Sequence, residues 1–309
     1  MDIKILFQSK LKTVLLILLV LICLGTSFSS NNSKGTNINS LNVDKQGNIQ
    51  NNLSIDLEIP VKTFNAVVVD SDNNKWFITE SGIVSFDGNK WTLHNKNKKV
   101  ESLGITGIAL EKTNHGQEIW LATPKGANVI SLPVDAVSGA ITYSTENTAI
   151  KSNNVFRVAI GKSPLRWFGT DKGISAFKSN KWLTPDYEDI YPDFMFSDFP
   201  VLSMATDLDG DTLYVGTNGA GIARVFSNDV DAISGASVFA QWGPMILPSD
   251  KVYSIFIAPD GVKWFGTDLG AARHIGQNSL ENWTAFTTKD GLVNDFIQAI
   301  TSDNDGKIW

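Results

Sequence analysis

The residues best equipped for chemistry are three histidines, several Asp-rich stretches, one cysteine, one aromatic and acidic loop, and Arg157. His94, His115 and His274 are 21 and 159 positions apart, a spacing that brings no imidazoles to a shared metal. The stretches DSDNN (70–74), DLDGD (207–211) and SDNDG (302–306) each offer several hard oxygens, which is what calcium wants. An EF-hand loop also needs an acidic residue at its last position, and counting from Asp207 reaches Asn218 instead. Short Asp, Asn and Gly runs between apolar segments read better as turns. Ser, His and Asp all occur, but no nucleophile elbow accompanies them. The expectation is therefore no catalytic residue, no metal and no cofactor.

Cys23 is the only cysteine, and it lies inside the apolar run TVLLILLVLICL (13–24). Lys4, Lys10 and Lys12 precede that run and the small-residue stretch Ser27-Phe28-Ser29 follows it, the order of a secretory leader. Residues 1–29 are thus read as a signal peptide, with the mature chain beginning near Ser30. The run is short against the roughly 20 residues that span hydrocarbon, so an uncleaved membrane anchor is the alternative. Acylation of Cys23 is a further one, although Ile22 is bulkier than the residue such cleavage prefers. Beyond Cys23 the chain has no thiol, which excludes disulfides, thiolate zinc sites and a cysteine nucleophile. A net charge of -6 and the lack of a basic stripe exclude a nucleic-acid surface. The expected location is periplasmic or on a bacterial cell surface, with membrane contact only through the N-terminal segment if it is retained. Residues 30–60, rich in Asn, Ser and Gly, read as a flexible linker in which LSIDLEI (53–59) is a candidate closing strand.

What must position any site is a repeat. NKWFITESGIVSF, EIWLATPKGANVI, LRWFGTDKGISAF, TLYVGTNGAGIARVF and VKWFGTDLGAARH share an aromatic, a Thr three residues later and a Gly soon after. The aromatics are Trp76, Trp120, Trp167, Tyr214, Trp264 and finally Trp309, spaced by 44, 47, 47, 50 and 45 residues. Such a period, with several short strands per unit and turn residues between them, is that of four-stranded propeller blades. In the first unit FNAVVVD (64–70), KWFIT (75–79), GIVSF (82–86) and KWTLH (90–94) supply the four strands. The fold class is all-β: a propeller over residues 61–309 with five complete blades and a sixth cut short, part of a ring of about seven blades or more. Strand alternation puts Trp and Gly of WFGT on one face, where Gly169, Gly216 and Gly266 leave room for a neighbouring blade. PVDAVSGA (133–140) recurs as DVDAISGA (229–236), which predicts a longer hairpin between the third and fourth strands of blades two and four.

The phrases RWFGTDKGISAFKSNKW (166–182) and TTKDGLVNDFIQAITSDNDGKIW (287–309) resemble the two-component regulator propeller family, in the Gly-Leu lead-in, the Asp-Gly turn, the Trp-x-Gly-Thr strand and the closing Trp. The resemblance covers roughly residues 60 to 309. Blade two departs most, with Leu-Ala for Phe-Gly. The resemblance implies an exported sensor propeller, often joined through a membrane segment to a histidine kinase or another output domain. No kinase follows here, and the repeat stops at Trp309, so the sequence reads as a fragment. The strand KWFITESG (75–82) also echoes the streptogramin lyases, a catalytic alternative, and a scaffold for protein partners is a third.

Within this frame two candidate ligand sites stand out. The lead-in to blade four, LTPDYEDIYPDFMFSDFP (183–200), carries Tyr187, Asp189, Tyr191 and Phe194, aromatic faces and carboxylates that suit a sugar or a cation. The same aromatics equally read as a plug over the blade edge. Aligning the first strands puts Ala66, Gly107, Arg157, Ser203, Ser254 and Ala299 in one column, so Arg157 alone is long and charged at its level. It is read either as a ligand for an anion or carboxylate in the central channel, or as an Arg packed by its stem and paired with a nearby Asp. The expected partner is a small molecule or glycan, or else a protein.

Overall fold

The computed structural model describes residues 64–79, 82–94, 104–132, 141–162, 164–183, 199–227, 233–239, 247–276, 282–303 and 305–309. The leader, the linker and the strand expected at 53–59 lie outside these. The described residues form five antiparallel sheets of four strands, each a meander in which every strand pairs with the next in sequence. The chain divides into two units, Met1–Asn95 and Lys96–Trp309.

The first unit holds one blade: β1 (Phe64–Val69), β2 (Lys75–Thr79), β3 (Gly82–Phe86) and β4 (Trp91–His94). Its strands fall within a residue of those expected from the sequence. Asp70 fixes the β1–β2 turn by accepting from the Asp72 and Asn74 amides and the Asn74 side chain, and it also takes the Trp76 indole N–H at 2.8 Å. The DSDNN stretch is thus a turn whose first carboxylate holds the motif tryptophan.

The second unit holds four blades. Blade two is β5 (Gly107–Thr113), β6 (Gly116–Thr123), β7 (Gly126–Ser131) and β8 (Ile141–Tyr143). Blade three is β9 (Val155–Ile160), β10 (Leu165–Thr170), β11 (Gly173–Lys178) and β12 (Lys181–Leu183). Blade four is β13 (Val201–Thr206), β14 (Thr212–Thr217), β15 (Ile222–Ser227) and β16 (Ile233–Phe239). Blade five is β17 (Val252–Ile257), β18 (Lys263–Thr267), β19 (Ala271–His274) and β20 (Trp283–Phe286). A capped turn at Thr288–Asp290 follows, and then the sixth repeat begins with a bridge between Ser302 and Ile308.

One sequence expectation is corrected in blade four. Of the segment 229–236 expected as hairpin loop, residues from Ile233 onward belong to β16, with Ser227 paired to Ile233. Small residues such as Gly235 and Ala236 pair here because the ladder uses backbone groups alone. The matching segment 133–140 lies outside the described residues.

In the second unit the first strands β5, β9, β13 and β17 lie side by side. The second strands carry the core between blades. Trp120 packs with Val155, Val158 and Phe168 of blade three, Trp167 with Val201, Leu213 and Val225 of blade four, and Tyr214 with Val252 and Phe265 of blade five. Trp120 meets Phe168 edge-on at 5.6 Å, so the aromatic of one blade meets the next residue type of the motif in the following blade. Burying such rings is worth about 2–3 kcal/mol each, which lets blades without disulfides hold by packing.

Candidate functional site

The repeated Thr explains itself first. Thr79, Thr123, Thr170, Thr217 and Thr267 are buried, and each hydroxyl donates to the carbonyl of the Gly that opens or precedes the third strand, Gly82, Gly126, Gly173, Gly221 and Gly270, at 2.7–2.9 Å. At Gly126 φ is +113° and a Cβ would meet the Tyr143 carbonyl, so only glycine fits. Gly169, Gly216 and Gly266 lie where a Cβ would run into neighbours on the same or the following blade: Val201 and Met204, Ser203 and Val252, and Ser254 and Ile297 respectively. Trp76, Trp120, Trp167 and Tyr214 are buried, and Trp264 is partly buried. These eight motif residues build the blades.

Against that background the column of first-strand residues is drawn by register. Ala66 faces Ile78, Gly107 faces Ala122, Arg157 faces Gly169, Ser203 faces Gly216 and Ser254 faces Gly266. In blades one, three, four and five a bulge interrupts the ladder just before this position, so the side chain there is aimed afresh at the start of the strand. Small residues fill the column at every described blade except the third. Ala299 is described, but no strand forms around it.

Arg157 is half-buried, and the protein around it is dense enough that burial lowers its pKa below the usual arginine value. Its Nη1 donates to the Phe156 carbonyl at 2.8 Å and to the Thr106 carbonyl of the neighbouring blade at 3.2 Å. Among the described residues no carboxylate pairs with it, so the expectation of a nearby Asp partner is not what the geometry shows. Thr106 in turn donates from Oγ1 to the Val155 carbonyl at 2.9 Å, tying blades two and three at this level. Ser203 does the same between blades four and five, through the Val252 carbonyl at 2.9 Å. Sequence alone missed these ties, because a lone Thr or Ser in a strand gives no sign of which carbonyl it will reach.

Tyr187, Asp189, Tyr191 and Phe194 lie outside the described residues. Phe199, at the end of that lead-in, lies where a Cβ on Gly219 would touch it at 3.4 Å. The three histidines fall on different blades or turns, each with its own surroundings. His94 sits on the fourth strand of blade one, with Nε2 2.8 Å from Ser85 Oγ and its ring 5.0 Å from Trp76. His274 is buried on the third strand of blade five and stacks on Trp283 at 4.5 Å, while His115 is exposed in the β5–β6 turn. Among the described residues no group of three His, Cys, Asp or Glu converges in a way that could hold a metal. No described helix is long and apolar enough to cross a membrane.

No family model matches the chain. No curated protein matches it either. Solved structures do. The extracellular domain of the hybrid two component system BT3049 from B. thetaiotaomicron superposes with a TM-score of 0.63 at 21% identity, over 80% of this chain and 32% of that one. Virginiamycin B lyase from Staphylococcus aureus gives 0.55 at 16% identity, over 86% of this chain and 82% of that one. PorZ of Porphyromonas gingivalis, a surface component of the type-IX secretion system, gives 0.52 at 13% identity, over 92% and 47%. The chain spans about a third of the length of the two component extracellular domain. The five four-stranded meanders and these superpositions show an all-β propeller fold, which the extracellular domain of the two component system BT3049 shares.

Proposed function

We propose that the chain is the exported sensory part of a two component type regulator, a propeller that binds a small molecule or glycan and does no chemistry on it. The carrying observation is the first-strand column: small residues everywhere except Arg157, a charged side chain in an otherwise neutral row. A half-buried cation without a counter-charge is costly to keep and is a common mark of a site whose partner arrives from outside. The fold likeness to sensor extracellular domains supports the same reading.

The aromatic lead-in with Tyr187, Asp189, Tyr191 and Phe194 belongs to this proposal as a second contact for a sugar ring. The test is a thermal-shift screen of the full chain with acidic sugars, neutral sugars and amino acids, followed by a signalling reporter in the native host for each hit. Stabilisation by a ligand that also moves the reporter is the expected result. A hit that never moves the reporter would argue against sensing.

The superposition on virginiamycin B lyase favours a second reading, lyase chemistry. His94 and His274 lie on the fourth and third strands of their blades and not in the first-strand column, which speaks against a channel-end acid or base. Incubation with quinupristin, the compound bound to that lyase in one of its structures, checks it by chromatography with fragment-ion mass spectrometry, because opening a ring by elimination leaves the mass unchanged. Unchanged quinupristin is expected, and a ring-opened product would overturn the sensing proposal.

A further inference from the structure

Resting on the sensory reading, we infer that Arg157 is a carboxylate-reading residue, held so that one edge of its guanidinium is presented to a monoanionic ligand. Both hydrogens of Nη1 have a partner, the carbonyls of Phe156 and Thr106 at 2.8 and 3.2 Å. Nη1 lies on the Cδ side of the guanidinium plane. Its engagement leaves Nε–H and the adjacent Nη2–H, the side-on fork of two parallel donors, without a partner among the described residues. That fork matches the two oxygens of a carboxylate and forms charge-assisted bonds with both.

The surroundings choose the ligand class. A single cation with two free donors neutralises one charge and satisfies two acceptors, which fits a carboxylate better than a phosphate with its greater charge and third oxygen. No charged side chain competes at this level of the first strands: Gly169 faces Arg157 across the ladder with Val201 and Met204 against it, and Gly107 stands beside it, where a Cβ would come within 2.9 Å of the Phe156 carbonyl and 3.5 Å of Arg157 Cα. The two carbonyls also set the orientation. They belong to neighbouring blades, so the fork is aimed by the junction between them and Phe156 and Thr106 act as positioning residues through their backbone.

The test follows the Arg157 Nε–H resonance of the full chain by arginine-selective NMR while sodium acetate, inorganic phosphate or sodium chloride is added at matched ionic strength. A saturating downfield shift with acetate, weaker with phosphate and absent with chloride, is expected. Glucuronate against glucose then asks the same of a sugar, with binding of glucuronate roughly tenfold or more weaker in Arg157→Lys, which keeps the charge but lacks the fork. No acetate shift in the wild-type chain, or equal shifts with all three salts, overturns the inference without relying on a variant. A neutral sugar that binds wild type and Arg157→Lys alike overturns the carboxylate site and leaves sensing standing. Acetate bound at Arg157 with no effect of any carboxylate ligand on the signalling reporter keeps the site and removes the sensing.

Discussion

Arg166 Nε donates to Glu111 Oε2 at 2.7 Å, an ion pair joining the second strand of blade three to the first strand of blade two. The same carboxylate oxygen takes the Trp120 indole N–H at 3.0 Å, and the guanidinium carbon lies 5.2 Å from the Trp120 ring and 5.8 Å from that of Phe177. Both side chains are buried, Glu111 at 2% and Arg166 at 13% exposure. Taking one charge away leaves the other desolvated and alone. Glu111→Ala should therefore cost about 3–5 kcal/mol in urea unfolding, while Glu111→Leu with Arg166→Met recovers most of it. A double variant as unstable as Glu111→Ala would show that the pair holds the interface by more than its charge balance.

The motif glycines differ in what an added methyl would strike. At Gly169 the obstacles are side chains, Val201 at 2.5 Å and Met204 Sδ at 2.6 Å, and methionine can move aside. At Gly216 they include the Val252 carbonyl at 2.7 Å, which is backbone and carries the bond from Ser203. Gly216→Ala is expected to lose about 2–3 kcal/mol and Gly169→Ala about 1 kcal/mol. Thermal unfolding of the two variants side by side checks the order, and a reversed order would contradict the packing argument.

These contacts also show what could be read from residues alone. The spacing of Trp76, Trp120, Trp167, Tyr214 and Trp264 revealed the blades because each unit needs one large aromatic in its packing, and Trp120, Trp167 and Tyr214 fill the gap to the next sheet. The alternation in Trp-Phe-Gly-Thr gave the two faces. The partner of each indole N–H could not be read. In blade one it is Asp70, six residues before Trp76, and in the sixth repeat Asp303 stands six before Trp309, at 2.9 Å. In blade two the same position is Asn114, and Glu111 reaches across from β5 instead. Blade three has Gly161 there, and the buried Trp167 indole N–H is left without a partner among the described residues. Hydrogen bonds of this kind depend on a few tenths of an ångström set by the whole blade. Arg157 stood out in the alignment of first strands, but its two carbonyl acceptors come from a bulge and a neighbouring blade that no alignment shows.

Asp70 gives a pH-dependent prediction. Burial pushes its carboxyl pKa upward, but the hydrogen bonds from Trp76, Asn74 and Asp72 together outweigh this and hold the pKa below the model-compound value of 3.8. A carboxylate with a depressed folded-state pKa stabilises fully above the unfolded value and loses that contribution as pH falls through the folded one. The wild-type chain should therefore lose stability as pH drops below about 4, and Asp70→Asn should lose less over the same interval, so that the two converge in acid. Near neutral pH Asp70→Ala should cost about 1–3 kcal/mol, because the buried Trp76 indole N–H is left without its acceptor. Urea midpoints of the three proteins across the acid range decide it; parallel curves for wild type and Asp70→Asn would rule the carboxylate out as the source.

Arg157 and Arg166 lie in the same blade, and their removal should have opposite character. Arg166 compensates a buried carboxylate, so Arg166→Gln abandons Glu111 and should cost about 3–5 kcal/mol. Arg157 compensates nothing among the described residues, and burial disfavours its charge in the folded chain. A base whose folded pKa is lowered is a burden on the fold wherever it is protonated. For an arginine that covers the whole workable pH range, so no pH dependence of stability accompanies it. Against this stand two bonds to carbonyls, one of them to Thr106 at 3.2 Å. Arg157→Gln should thus change stability by less than about 1 kcal/mol, in either direction, while abolishing the preference for glucuronate over glucose. Calorimetry of both variants tests the contrast. If Arg157→Gln unfolded as readily as Arg166→Gln, the side chain would be a strut of the fold, and its place in the small-residue column would owe nothing to a ligand.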